Sequence, residues 1–213
     1  MHTLRKLIAL GALLAPGAAV AGAQAEEPLS ASVQASLQKA VSDRAVPHLA
    51  LAADPDARRW MGAMSQRLAQ RMPDETLRLD FLRTVRYEAT RAGLDPELVL
   101  GLIQVESAFR KYAISTAGAR GFMQVMPFWV TAIGNVDHNL FHLRTNLRYG
   151  CTILRHYLDI ERGNLYRALG RYNGSLGQPE YPNLVLRAWG NWQLPAMRNV
   201  DFSVAARPSP LTP

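Results

Sequence analysis

The residue in this chain best suited to acid–base chemistry is a single carboxylate near the end of an apolar helix. The segment 95–107, DPELVLGLIQVES, begins with a helix cap and a proline that suits the first helical position. Apolar residues then occupy almost every side, which predicts a buried helix. Glu106 shares a face with Leu98 and Leu102. An unpaired buried charge is costly, so such a carboxylate must be paired, face a cleft or hold a proton, and the last case suits a general acid.

Spacing alone does not establish catalysis, because a lone glutamate near a helix end is usually solvated or ion-paired. The residues that follow change this balance. Ser107 comes directly after Glu106, Ser115 comes nine positions after Glu106, residues 118–127 have the sequence GARGFMQVMP, and residues 171–174 have the sequence RYNG. This order and spacing resemble the soluble lytic transglycosylase (SLT) family, lysozyme-like enzymes that cleave bacterial peptidoglycan. The resemblance covers roughly residues 88–192.

The resemblance implies a mechanism with one carboxylate. In this family, one Glu protonates the glycosidic oxygen between MurNAc and GlcNAc, the substrate's N-acetyl oxygen stabilises C1, and the same Glu then deprotonates the MurNAc 6-hydroxyl. That hydroxyl closes a 1,6-anhydro ring, and no water is consumed. By position Glu106 is this catalytic residue. The other positions implied to bind substrate or shape the site are Ser107, Ser115, Met123, Gln124, Met126, Tyr172, Asn173 and Glu180.

The implied roles differ among these positions. Ser115 matches a serine that orients the N-acetyl group or the 6-hydroxyl, and Tyr172 matches a tyrosine hydrogen-bonded near the acid. Gln124 matches a side chain that contacts the sugar. The two methionines are expected to line the cleft, and Ser107 and Asn173 are expected to hold the surrounding backbone.

The chain departs from the family pattern at several positions. Phe122 replaces the usual Leu, and Trp129 stands where Thr is common; both are expected to reshape the cleft wall. Arg171 replaces the Ala before Tyr-Asn. A later family segment, Glu-Thr-Arg-x-Tyr-Val, is present only as EYPNLV over residues 180–185, so among its residues only Glu180 is assigned a sugar-binding role.

Two alternatives stay open alongside this hypothesis. The first is a hydrolytic muramidase resembling goose-type lysozyme, which needs a second acid to position water; Asp137 and Glu180 are the candidates. The second is a non-catalytic protein that binds or scaffolds the cell wall. Intact Glu106, Ser115, Gln124 and Tyr172 argue against it, because binding alone requires no acid.

Metal and cofactor chemistry have little support in the sequence. His138 and His142 have the spacing of ligands on one helical face, but they lack a His-Glu-x-x-His pattern, and the residues between them are typical of a loop. The glycines of residues 118–121 are not followed by the Lys-Ser/Thr of a phosphate-binding loop. We therefore expect no metal and no cofactor.

The N-terminus has the features of an export signal. Arg5 and Lys6 precede an apolar run over residues 7–20, and a small-x-small site follows at Ala23-Gln24-Ala25. The run is too short to span a bilayer. We expect cleavage after Ala25 and a protein of the bacterial periplasm or another exported location.

Composition and charge limit the choice of partners. The chain carries 24 Lys and Arg against 17 Asp and Glu, and a net positive charge of five remains after the predicted signal is removed. A basic protein is attracted to polyanions, but no nucleic-acid-binding motif accompanies the charge. Peptidoglycan glycan strands are the expected partner, with envelope proteins as further candidates and nucleic acid excluded. We expect a monomer. Cys151 is the only cysteine and is expected to be a small buried apolar residue.

Strand signals are nearly absent, so the predicted class is mostly α: a lysozyme-like (goose-type/SLT) helical domain preceded by a small helical N-terminal extension. Expected helices begin near Asp54 and Pro73, and further helices cover about 145–162 and the residues before Tyr172. The predicted organisation is a signal peptide at 1–25, a helical extension at 26–87, a catalytic domain at 88–192 and a proline-rich tail at 193–213.

Overall fold

The described part of the chain is almost entirely helical. The computed structural model describes residues 24–42 and 55–194. Within them are α1 (Ala31–Ser42), α2 (Pro55–Leu68), α3 (Glu75–Arg91), α4 (Pro96–Ser107), α5 (Phe128–Ile133), α6 (Leu143–Ile160), α7 (Leu165–Asn173) and α8 (Glu180–Trp192). The only β pairing in these ranges is two isolated bridges within residues 114–125. The predicted mostly α class is confirmed.

Helix α4 lies at the centre of the fold, as its apolar sequence predicts. Asp95 caps it by accepting a hydrogen bond from the Glu97 N–H, with Pro96 at the first helical position. Helix α8 packs very closely on α4. A Cβ at Gly101 would stand 2.6 Å from the Trp189 backbone nitrogen, so only glycine permits this approach. The Trp189 indole N–H donates to the Asp95 carboxylate at 2.9 Å and links the two helices again.

A buried ion cluster joins α3 to α6. Glu88 is fully buried, and its carboxylate pairs with Arg148 at 2.9 Å, with Arg91 at 2.8 Å and with Arg144 at 3.5 Å. Several charge-assisted hydrogen bonds compensate the cost of removing these groups from water. The cluster fixes the position of α6, the helix that holds the loop beside Glu106.

The hydrophobic core extends through all eight described helices. Helix α1 contributes Leu37 and Val41, so the weakly periodic sequence at 31–42 forms a packed helix. Cys151 is fully buried as predicted, and burial raises the pKa of its thiol above the ordinary range. Phe122 and Trp129 are also core residues, 5% and 3% exposed. Their rings pack against Phe81 and Tyr157, so the effect expected of them on the cleft wall stays a prediction and would act from within the core.

Several predicted boundaries can be compared with the helices. The helices expected from Pro73 and before Tyr172 are present, and the helix expected at about 145–162 is shifted by two residues at each end. Two helices were not predicted, α5 and α8. The predicted domain boundary at residue 88 falls inside α3.

Some of the predictions lie outside the described residues. These are the signal peptide apart from Gln24 and Ala25, the Asp54 cap of α2, and the tail beyond Leu194. Within 24–42 and 55–194, none of the helices has the length and apolar character needed to cross a membrane.

Candidate active site around Glu106

Glu106 stands at the C-terminal end of α4, where the chain leaves the helix abruptly. Ala108 and Phe109 both adopt left-handed backbone conformations, with φ of 49° and 65°. Non-glycine residues seldom occupy this region, and such strain concentrates at functional sites. Two successive left-handed residues end the helix directly after Ser107. They leave the Glu106 side chain at the margin of the core, partly exposed and surrounded by protein atoms.

The environment of Glu106 favours its protonated form at neutral pH. Burial raises the pKa of the Glu106 carboxyl to about 8, although a hydrogen bond from Tyr181 acts in the opposite direction. The Tyr181 hydroxyl donates to Glu106 Oε1, and the tyrosine itself is only 2% exposed. A carboxyl that keeps its proton near pH 7 while it faces a partly open surface can serve as a general acid.

The loop 113–125 forms a tight wall that follows Glu106 in sequence. The backbone of Arg120 forms antiparallel β bridges with Ile114 and with Val125. Gly121 has a φ of 77°, and a Cβ there would meet the Asn146 amide at 2.4 Å, so glycine is required. The Gln124 backbone is also left-handed, with a φ of 48°. Its side-chain amide donates to the Ala113 and Gly121 carbonyls at 3.1 and 2.8 Å. In this structure Gln124 therefore holds the loop together.

Asn146 on α6 fixes the same loop from behind. It is fully buried, its Oδ1 accepts from the Met123 N–H at 2.8 Å, and its Nδ2 donates to the carbonyls of Arg120 at 2.8 Å and Leu140 at 2.9 Å. One side chain thus satisfies three buried backbone groups. The loop can keep its unusual backbone only while these bonds are present.

Tyr172 supports the loop at its methionine. The Tyr172 hydroxyl donates to the Met123 carbonyl at 2.8 Å. Burial, followed by the nearby Glu106 carboxylate, raises the pKa of Tyr172 well above its ordinary value, which places the phenol close to the acid. The hydroxyl of Tyr172 thus bonds the loop, and the direct hydrogen bond to the acid comes from Tyr181.

The structure divides the remaining predicted positions into three groups. Met123 is fully buried against Gly150, so the expectation that it lines the cleft is wrong, whereas Met126 is partly exposed. Ser107 and Asn173 are buried and bond locally, to the Ile103 carbonyl and the Ser175 hydroxyl. Ser115 is partly exposed, and its Oγ accepts from the Ala119 N–H at 3.1 Å. Glu180 is exposed at the first turn of α8.

Metal ligands do not gather at this site. Nowhere in the described ranges do three or more His, Cys, Asp or Glu side chains stand together in a way that could hold an ion. His138 instead hydrogen-bonds through Nδ1 with the Tyr149 hydroxyl at 2.7 Å.

Comparison with known proteins agrees with this geometry. Residues 83–181 match the family model of the transglycosylase SLT domain. These residues form an SLT domain. It begins inside α3, includes the Glu106 helix and the loop 113–125, and ends at Tyr181. The lysozyme-like helical fold predicted from the resemblance is confirmed.

The chain also matches curated proteins. It is similar to membrane-bound lytic murein transglycosylase C of Actinobacillus pleuropneumoniae, with 53% identity over 47 residues, 22% of this chain and 13% of that protein. The protein of the same name from Glaesserella parasuis is 34% identical over 138 residues, 57% of this chain and 36% of that protein. A transglycosylase of Enterobacteria phage PRD1 is 32% identical over 103 residues, 48% of this chain and 38% of that protein. The chain thus spans less than two fifths of the length of each.

Two residues of the SLT domain site were missed by sequence reasoning, Tyr181 and Asn146. Tyr181 lies in the segment 180–185 that was set aside as changed, although it is an aromatic residue directly after the assigned Glu180. Asn146 carries a weak signal of its own. It is an amide one helical turn before Gly150 on a helix whose buried face is otherwise mainly apolar, and a polar group at such a position requires partners.

Proposed function

We propose that this chain is a peptidoglycan lytic transglycosylase that cleaves the MurNAc–GlcNAc β-1,4 bond. The observation that carries the proposal is the state of Glu106, a carboxyl with a pKa raised to about 8 by burial at a partly open surface. The SLT domain match and the relatives named lytic murein transglycosylases support the substrate class.

In the proposed reaction Glu106 acts twice. Its proton goes to the glycosidic oxygen as the bond to C1 breaks. The carboxylate then accepts the proton of the MurNAc 6-hydroxyl, whose oxygen bonds to C1 and closes the 1,6-anhydro ring. Atoms balance without water, and Glu106 ends protonated. The Tyr181 hydrogen bond stabilises the carboxylate between the two steps, because a hydroxyl donor favours the charged form.

The single-acid mechanism is favoured over hydrolysis by the surroundings of Glu106. Double displacement and inversion each need a second carboxylate close to the bond. The causes of the Glu106 pKa shift are burial and Tyr181, and no second acid among the described residues contributes. Asp137 and Glu180, the two candidates, are both exposed side chains.

The remaining site positions have supporting roles in this proposal. A hydroxyl both accepts and donates, so Ser115 can accept from Ala119 and still donate to the N-acetyl group or 6-hydroxyl of the sugar. Met126 borders the substrate, and Glu180 contacts it at the rim. Gln124, Met123, Tyr172, Ser107 and Asn173 keep the loop and the helix ends in position.

Export and domain organisation belong to the same proposal. The substrate lies in the cell envelope, and two of the relatives are named membrane-bound. We place the protein in the envelope, with cleavage after Ala25. The catalytic unit comprises residues 88–192, since α8 supplies both Tyr181 and the closest packing on α4. The preceding helices pack against it, and the protein acts as a monomer on glycan strands without a cofactor.

The products distinguish the two enzyme mechanisms. We expect digests of purified peptidoglycan to contain muropeptides with 1,6-anhydroMurNAc ends, lighter by one water than hydrolytic products. Mass spectrometry of the digest measures this difference directly. Predominantly reducing MurNAc ends would show that water is the nucleophile and would favour the hydrolytic alternative. Intact glycan strands after digestion would favour the non-catalytic wall-binding alternative.

Replacing Tyr181 with phenylalanine is expected to move the pH profile upward. Loss of the hydroxyl removes a donor that favours the carboxylate, so the pKa of Glu106 rises further. A hydrogen bond to a charged group corresponds to a shift of about one unit. The alkaline limit of turnover should therefore rise by about one pH unit, measured on solubilised peptidoglycan. Tyr166→Phe is the matched control, because its exposed hydroxyl bonds only the Pro179 carbonyl and Asn183. An unshifted Tyr181→Phe profile would contradict the role given to Tyr181.

A further inference from the structure

The first residue that the structure describes, Gln24, is inserted into the proposed active site. Its side chain is polar yet only 5% exposed. The amide Nε2 donates to the Gln124 carbonyl at 3.5 Å, and the amide Oε1 accepts from the Met126 N–H at 3.3 Å. A buried glutamine that contacts the backbone of a site loop a hundred residues away is a specific long-range contact.

The contact pairs two complementary polar edges. The loop presents a carbonyl and an N–H two residues apart, and a carboxamide supplies one donor and one acceptor that match them. An acetamido group carries the same two functions, one N–H donor and one carbonyl acceptor, although in its trans amide they point in opposite directions. The side chain of Gln24 therefore has the chemistry of the N-acetyl substituent that the proposed substrate carries on every sugar.

This pair of backbone groups lies within the Glu106 site. Burial, and next the Glu106 carboxylate, raise the pKa of Tyr172. The same phenol donates to the carbonyl of Met123, one residue before Gln124. Gln24, Tyr172 and Glu106 thus converge on one cleft. At 3.3 and 3.5 Å the two Gln24 bonds are longer than the usual 2.9–3.0 Å for N–H···O bonds, so a ligand could displace them.

The rest of the N-terminal segment is anchored independently. Glu27 pairs with Arg171 at 3.0 Å, and Arg171 also donates a hydrogen bond to the Glu161 carboxylate. Farther along, the Gln34 amide on α1 donates to the Ala132 carbonyl at 2.8 Å. Arg171 occupies the position where the family pattern has alanine, so one of this chain's departures from the family holds the segment against the domain.

The position of Gln24 relative to the predicted cleavage site gives the contact a consequence. Cleavage after Ala25 removes Gln24 but retains Glu27 and its anchor. We propose that Gln24 blocks an acetamido-binding edge, the Gln124 carbonyl and the Met126 N–H, in the uncleaved chain, and that removal of the leader opens this edge to the N-acetyl group of the glycan. This inference rests on the proposed function and on the proposed cleavage.

The test compares full-length chains made without export and purified in detergent. The variants are wild type, Gln24→Ala and the control Gln66→Ala, an exposed glutamine on α2. The first measurement is hydrogen–deuterium exchange at the Met126 amide. The second is turnover of purified peptidoglycan, before and after cleavage by signal peptidase. The third is affinity for an oligosaccharide of N-acetylglucosamine, with the deacetylated oligosaccharide for comparison.

We expect Gln24→Ala to speed exchange at Met126 and to raise turnover of the uncleaved chain at least about tenfold, a factor that corresponds to losing one or two net hydrogen bonds. Cleavage of wild type should give the same gain, and Gln66→Ala should match uncleaved wild type. Unchanged Met126 exchange would overturn the proposal, as would faster exchange with no gain in turnover or affinity.

Failure of the proposed function is distinguishable from failure of this inference. If no form turns over peptidoglycan, the proposed enzymatic function is wrong. The oligosaccharide measurement then tests the inference about Gln24 by itself. Tighter binding of the acetylated oligosaccharide by Gln24→Ala than by wild type would support an acetamido edge blocked by Gln24. Equal binding by the two chains would overturn it.

Discussion

Glu106→Gln is expected to lower the turnover of purified peptidoglycan at least ~100-fold, the usual scale for loss of a general acid. The amide is close to the carboxyl in shape, but it cannot transfer a proton. It can still accept the Tyr181 hydrogen bond through its oxygen. The fold and the binding of glycan should therefore persist, which circular dichroism and co-sedimentation with peptidoglycan measure.

Glu75→Gln provides the matched control for this variant. Glu75 is exposed in the first turn of α3, so the same chemical change there should leave turnover unaltered. A Glu106→Gln enzyme with near-normal turnover would remove Glu106 from the mechanism. Loss of glycan binding along with turnover would instead indicate that Glu106 contributes to the structure of the cleft.

The protonation of Glu106 also links activity to stability. Its pKa in the folded state, about 8, lies above the ordinary 4.5, so the folded state binds the proton more tightly than the unfolded state does. This contribution to stability is complete below pH 4.5 and is lost as the pH rises through about 8. Turnover should fall over the same upper range, because the acid loses its proton. In Glu106→Gln this contribution should be absent, so the loss of stability between about pH 5 and about pH 9 should be smaller than in wild type, as urea unfolding at the two pH values would reveal.

Helix α4 could be predicted from sequence because its signals are local. The Asp95 cap, Pro96 and the continuous apolar run all act within one helix, and the structure confirms each of them. Cys151 and the helix before Tyr172 were predicted for the same reason, since periodic apolar residues reveal a buried face. The class of the fold follows from such local patterns.

Helix α8 could not be predicted in the same way, because its importance depends on a partner. Its sequence, EYPNLVLRAWGNW, carries a proline at its third position and a glycine near its end, both poor helix formers in isolation. Packing on Gly101 of α4 and the indole bond to Asp95 outweigh these propensities. The resemblance rests on short sequence motifs, and none of them indicates that Tyr181 lies beside Glu106.

The Gln124 side chain shows the opposite case: the motif implies a contact with the sugar, and the structure adds a role inside the loop that the motif did not predict. Its left-handed backbone turns the amide inward, where it closes the loop 113–125. Sequence spacing identifies which residues belong to a site but not the direction of each side chain. The backbone angles that decide the direction depend on the groups behind the loop, above all on Asn146.

Asn146→Ala is expected to have the largest effect on stability among the substitutions considered. It leaves the Met123 N–H and the carbonyls of Arg120 and Leu140 without their partner in a buried place. Each unsatisfied buried group costs about 1–3 kcal/mol, so three of them correspond to a loss of about 3–9 kcal/mol in the free energy of unfolding. Proteins of this size are stable by only about 5–15 kcal/mol, so we expect part of the population to be unfolded at 37 °C. Urea unfolding measures the loss, with Asn191→Ala on the exposed face of α8 as control.

Asn146→Asp separates the effect on the loop from the effect on folding. Aspartate keeps the shape and the acceptor for the Met123 N–H, but it cannot donate to the carbonyls of Arg120 and Leu140. Molecules that stay folded should therefore have a looser loop, with faster amide exchange at Gly121 and Val125. Their turnover should be at least ~10-fold lower, because a displacement of about 1 Å at an active site has effects of that scale or larger. A folded Asn146→Asp protein with wild-type turnover would show that the loop keeps its geometry without these bonds, and Gln124 would then be its main support.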